Sequence, residues 1–172
     1  MARGAGLIPL TLVEFPVAGR QYPIVFLPPA GGQPPAAVIA AGTHPAENLF
    51  VSTDGEWMPG FYVPAYLRRY PFITGNTKDD ERKAVFIDVD ADRLSTDEGA
   101  PLYEDGELSK AAKSALDFCG QYHTGVQRTA AFTAALHAAE ILVPSAPAGI
   151  DLPPGQKAAQ FLAIDEQKLS AV

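Results

Sequence analysis

Between Glu107 and Val143 the chain contains no proline, although it carries 16 of them elsewhere. Proline removes a backbone donor and clashes with the preceding turn, so a long alanine-rich stretch without it is the strongest helix signal in the sequence. Leu108, Ala112, Ala115, Cys119, Tyr122, Val126, Thr129, Thr133 and Leu136 recur there at spacings of three and four, which puts them on one helical face. Unbroken, such a helix is about 50 Å long at 1.5 Å per residue. Gly120 and Gly125 weaken it by about 1 kcal/mol each relative to alanine and mark a place for a kink. Pro144 and Pro147 end it. A helix with one apolar stripe needs an apolar layer to cover, and the rest of the chain must supply it.

Strand signals do so. Tyr22–Leu27 is a short β-rich run closed by Pro28-Pro29, and Ala36–Ala41 reads as a second, buried strand. Leu49–Ser52 and Trp57–Val63 flank Thr53-Asp54-Gly55-Glu56, where an Asp-Gly pair between β-forming runs predicts a hairpin. Pro59-Gly60 predicts a bulge or bend in its second arm. Pro64 can open a short helix over Ala65–Tyr70, which Pro71 ends. Thr74–Arg82 reads as a polar turn, Lys83–Val89 as a strand, and 90–106 as an acidic, turn-rich loop. Ile150–Leu152 and Ala158–Ile164 read as a closing hairpin, and Asp165 as the N-cap of a terminal helix. The expected fold is α+β: a mainly antiparallel sheet from 22–63, 83–89 and 158–164, one long helix at about 107–143 packed on it, and a short terminal helix. With 172 residues, the chain has the size of a single domain that buries roughly 70% of its unfolded surface.

Charge narrows the partners. The formal charge is −7, with 20 acidic against 13 basic residues, so nucleic acid is not expected as a partner. One cysteine, Cys119, excludes an internal disulfide framework. The opening Met1–Leu10 has a basic residue and then apolar ones, but Pro9 and Glu14 interrupt it before a signal-peptide core is complete. No apolar run is long enough to span a bilayer. The expected location is the cytoplasm, with peripheral association to a membrane complex or the cell surface left open.

Catalytic motifs fail on spacing. His44, His123 and His137 form no H-x-x-x-H pair, and a lone cysteine excludes the paired-Cys zinc patterns, so no metal is expected. Asp88-Val89-Asp90-Ala91-Asp92 opens like a calcium loop, but Arg93 and Gly99 stand where that loop needs Gly and Glu. Cys119 and His123 are an i,i+4 pair on a helix, yet mid-helix amides cannot form an oxyanion hole. Neither G-x-S-x-G nor G-x-G-x-x-G occurs. No catalytic residue and no cofactor is therefore expected.

One segment has a binding composition. Residues 57–72 concentrate Trp, Tyr and Arg, the types enriched at interface hot spots, in an otherwise acidic chain. Trp57, Tyr62, Tyr66, Arg68, Arg69 and Tyr70 are the expected partner- or ligand-binding residues. On a helix opened by Pro64, Tyr66, Arg69 and Tyr70 share one face, and an arginine beside two tyrosine rings can stack on a ligand or pin a carboxylate.

The same segment carries a resemblance. ENLFVSTDGEWMPGFYVPAYLRRYPF at 47–72, with LIPLTLVEFPVAGRQYPIVF at 7–26, FIDVDADRLSTDEGAPLYEDG at 86–106 and FLAIDEQKL at 161–169, resembles the SapC family, bacterial proteins named for their association with surface-layer protein genes. The resemblance implies one SapC-like domain over 1–172, without the further helical stretch that family members carry after the last of these segments. It supplies no catalytic residues. The failed motif search, the acidic loop and the aromatic–arginine segment favour a non-enzymatic interaction protein, which the family's associations would make a soluble adaptor or accessory subunit of a surface-layer, export or uptake system, working with a protein partner or in a larger assembly. The alternative is an enzyme of unknown class acting on a small molecule or peptide, through a pocket near residues 62–70 and 86–92 that Tyr66, Arg68, Arg69, Asp88 and Asp90 would line.

Overall fold

The computed structural model describes residues 2–43, 46–76, 83–145 and 161–171. In chain order its elements are β1 (Leu7–Pro9), α1 (Phe15–Ala18), β2 (Ile24–Leu27), β3 (Ala36–Ala40), α2 (Ala65–Arg68), β4 (Phe72–Asn76), β5 (Lys83–Ile87), β6 (Tyr103–Glu104), β7 (Glu107–Leu108), α3 (Lys110–Ala138), β8 (Leu142–Ser145), β9 (Phe161–Ile164) and α4 (Glu166–Leu169). The fold is α+β with antiparallel sheets, a long helix and a short helix near the C-terminus, as the sequence predicts. The chain forms two compact units: residues up to Pro64 with those from Val126 onward, and Ala65–Gly125. The helix α3 contributes residues 110–125 to the second and 126–138 to the first.

The first unit is built on a five-stranded sheet in the order β1-β3-β2-β9-β8. Every pairing in it is antiparallel, with Val38 opposite both Pro9 and Val25, and Val143 opposite Ala163. The sheet is assembled differently from the expectation. The strand at 83–87 is absent from it and pairs with β4 in a separate two-stranded sheet, so part of the predicted polar turn at 74–82 is strand. Of the predicted hairpin around Asp54-Gly55 only the turn and one bridge, Val51 to Trp57, form. Two strands that the sequence hides, β1 and β8, complete the sheet. Each contains a proline, Pro9 and Pro144, and each lies at an edge, where a missing N–H removes no ladder bond. In this sheet β9 lies between β2 and β8; the predicted arm at 150–152 lies outside the described residues.

The core of this unit lies between the sheet and the last turns of α3. Phe26, Ala37, Leu136, Ile141, Leu142 and Leu162 form one buried cluster, with Phe15 and Phe132 packed against it. Phe15 meets Phe26 and Phe132 edge-on, each at 6.4 Å between ring centroids, the arrangement that aromatic quadrupoles favour.

The ends of α3 follow local chemistry. Ser109 precedes it and its hydroxyl accepts from the Ala112 N–H at 3.1 Å, an N-cap contact. The helix stops at a Schellman turn: the Glu140 N–H donates to the His137 carbonyl at 3.0 Å, and the Ile141 N–H to the Leu136 carbonyl at 3.0 Å. Glu140 adopts a left-handed φ of 55° there, a conformation that glycine takes without a Cβ penalty. Glu140→Gly is expected to stabilise the protein by about 0.5–1 kcal/mol, read as a rise in urea midpoint at unchanged m-value.

In the second unit, α2 leads into the β4–β5 hairpin. Ile73 and Phe86 are cross-strand partners, both exposed. The Phe86 ring lies over Gly75, where a Cβ would come within 3.1 Å of it. The acidic stretch expected to be a loop ends in a small hairpin, β6–β7, whose second strand takes the first two residues of the predicted helix and whose turn, Asp105-Gly106, has φ of 50° and 82°. Two positive φ values in succession define a type I′ turn, the one Asp-Gly favours.

Candidate functional site

The six predicted binding residues divide between the two units. Trp57 and Tyr62 belong to the first, and Tyr66, Arg68, Arg69 and Tyr70 to the second.

Trp57 and Tyr62 are built into a local framework. The Trp57 ring stacks on Phe50 with 6.3 Å between centroids, and Tyr22 meets Phe50 edge-on at 4.7 Å. Phe61 closes the group at 5.0 Å from Phe50. Tyr62 is held at three points. Its N–H donates to Gln21 Oε1 at 2.7 Å, its carbonyl accepts from the Tyr22 hydroxyl at 2.6 Å, and its own hydroxyl donates to Glu14 Oε1 at 2.9 Å. Glu14 is buried, and its Oε2 accepts from the N–H and hydroxyl of Thr11 at 2.9 and 2.6 Å. A buried carboxyl group that accepts from Thr11 and Tyr62 is engaged in shaping the chain. The sequence does carry its signal. Thr11-x-x-Glu14 has capping-box spacing at the start of a helical turn, a role beyond the interruption of an apolar run noted for Glu14 above.

The second unit brings the other four into a different arrangement. The helix α2 is one turn long, and Arg69 follows it with its N–H still bonded to the Ala65 carbonyl at 3.1 Å. Its guanidinium carbon lies 4.7 Å from the centre of the Tyr66 ring, the i,i+3 contact that the sequence predicts. It also lies 5.3 Å from the centre of the Tyr122 ring. Arg68 is exposed, and its guanidinium carbon lies 5.1 Å from the Phe118 ring centre. Phe118 and Tyr122 are one helical turn apart on α3, so each arginine has its own aromatic support. The sequence reading missed these two supports. It assigned Tyr122 to the buried face alone and gave Phe118 no role.

Tyr70 parts from this group. Its hydroxyl donates to Asp88 Oδ2 at 2.9 Å, and Asp88 Oδ1 accepts from the Asp90 N–H at 3.2 Å. Partial burial raises the Tyr70 phenol above its ordinary value. The hydrogen bond to Asp88 and the charges of Asp88, Asp92 and Asp90 raise it further. It is a neutral donor at neutral pH, unsuited to act as a base there. Cys119, between Phe118 and Tyr122 in sequence, is wholly buried. Burial pushes its thiol up, against a smaller opposing pull from the Arg69 charge, so it is not a ready nucleophile.

A pocket of about 390 Å³ lies between the β4–β5 hairpin and α3, with Leu116, Gly120 and His123 on the helix side. Among the described residues no group of three or more His, Cys, Asp and Glu side chains is placed to hold a metal ion, and no helix is long and apolar enough to cross a membrane. Compared with known proteins, the chain is matched over residues 1–172 by a protein-family model described as SapC. No curated protein and no solved structure matches it.

Proposed function

Since the chain belongs to the SapC family over residues 1–172, we propose that it is a non-enzymatic interaction protein, a soluble adaptor or accessory subunit of a bacterial surface-layer, export or uptake system. The observation that carries this reading is the pair of arginines backed by rings: Arg68 on Phe118, and Arg69 on Tyr66 and Tyr122. Arginine and tyrosine dominate interface hot spots because they combine a large contact area with directional donors. Rings that hold the guanidinium groups in place lower the entropy cost of ordering them on a partner. On this reading the partner surface is Tyr66, Arg68 and Arg69. Trp57 and Tyr62 support the first unit, and Tyr70 is tied to Asp88.

Its test is the double variant Arg68→Ala/Arg69→Ala. Capture of partners from the source cell is expected to fall at least tenfold. Stability is expected to fall by no more than about 2 kcal/mol, the scale of a few half-exposed cation–π contacts. Capture and thermal melting are measured on the same preparation. Unchanged capture rejects this surface, and unfolding of the double variant assigns the arginines to structure.

A further inference from the structure

The chain has 20 acidic residues, yet among the described residues no carboxylate pairs with Arg69. Its Nε–H is buried and donates to nothing among them. Its neighbours are the faces of Tyr66 and Tyr122. Ring faces stabilise a cation but offer no lone pairs to the five N–H donors of a guanidinium. This one buried donor lacks the acceptor that buried donors normally have.

From this we infer that Arg69 is a receptor for a carboxylate, presented by an acidic side chain or the chain terminus of a protein partner; this rests on the partner reading above. Guanidinium and carboxylate are matched planar groups that form paired, charge-assisted hydrogen bonds. The surroundings select among oxyanions. Asp88, Asp90 and Asp92 lie in the same unit and act on Tyr70, the residue next to Arg69. Their negative charge opposes a phosphate dianion more strongly than a singly charged carboxylate. The aromatic walls accept the apolar part of a side chain that carries the carboxylate.

The experiment is a titration of the full chain with N-acetylglycine, inorganic phosphate and sodium chloride at matched ionic strength, following the Arg69 side-chain N–H and the Tyr66 and Tyr122 ring signals by NMR. The expected result is a saturable shift of all three with N-acetylglycine, a weaker response to phosphate, and none beyond screening with chloride. Arg69→Lys keeps the charge and loses the planar fork, and is expected to bind N-acetylglycine at least tenfold more weakly. The wild-type titration decides the matter even if that variant fails to fold. Shifts that never saturate, or that chloride reproduces, overturn the proposal. Tighter saturation by phosphate overturns the choice of carboxylate. Partner capture lost in the double arginine variant, with no saturation here, leaves the adaptor reading standing and removes the carboxylate. Saturation here with capture unchanged overturns the protein partner as the source of the carboxylate.

Discussion

Glu14→Ala is expected to lower the stability of the folded chain by at least about 3 kcal/mol, because three donors lose a buried acceptor at once and each such loss costs about 1–3 kcal/mol. The donors are the N–H and hydroxyl of Thr11 and the hydroxyl of Tyr62. They come from chain positions on either side of the strands β2 and β3, so the carboxyl group ties the start of the chain to the aromatic segment. Tyr62→Phe removes one of the three bonds and is expected to cost about 1–2 kcal/mol. Urea denaturation of both single variants and the double variant gives the coupling energy of the pair. Full additivity of the two losses would show that the bond between Tyr62 and Glu14 contributes nothing.

Phe26→Ala is expected to cost about 3–5 kcal/mol, the range for emptying a large aromatic site in a packed core. Phe26 is 2% exposed and meets Phe15 edge-on inside the cluster that joins β2, β8, β9 and α3. Val126→Ala is the internal comparison. Its side chain is 41% exposed, and a surface truncation of this kind is expected to stay within about 0.5 kcal/mol. Urea midpoints at constant m-value measure both. Equal losses at the two sites would mean that the helix presents a different face from the one described.

Val126 also shows how the sequence can mislead about detail. The apolar stripe on α3 is correct at Ala112, Cys119, Thr129, Thr133 and Leu136, all buried. At one turn the buried position is Gly125, and its larger apolar neighbour Val126 points outward. Side-chain size favours the valine in a sequence reading, whereas helical phase favours the glycine. The sheet was less legible for a related reason. Proline is a reliable sign against a central strand, but β1 and β8 are edges, and edge strands tolerate it. At the binding segment, composition drew attention to Trp57, Tyr62 and the arginines together. Composition cannot separate a ring that fills a framework from one that supports a cation, because that depends on residues far along the chain. Phe118 and Tyr122 lie on a helix about fifty positions later, and only the fold brings them to Arg68 and Arg69.

Two glycines of the second unit, alike in sequence, leave unequal room for descent with modification. Gly75 has an ordinary backbone, but a Cβ there would come within 3.1 Å of the Phe86 ring, which must give way by a few tenths of an ångström for a side chain to fit. Gly120 sits in a helix interior with open space before it, where alanine would favour the helix by about 1 kcal/mol. Across lineages, position 120 can therefore wander alone, while a change at position 75 depends on how far its aromatic neighbour yields.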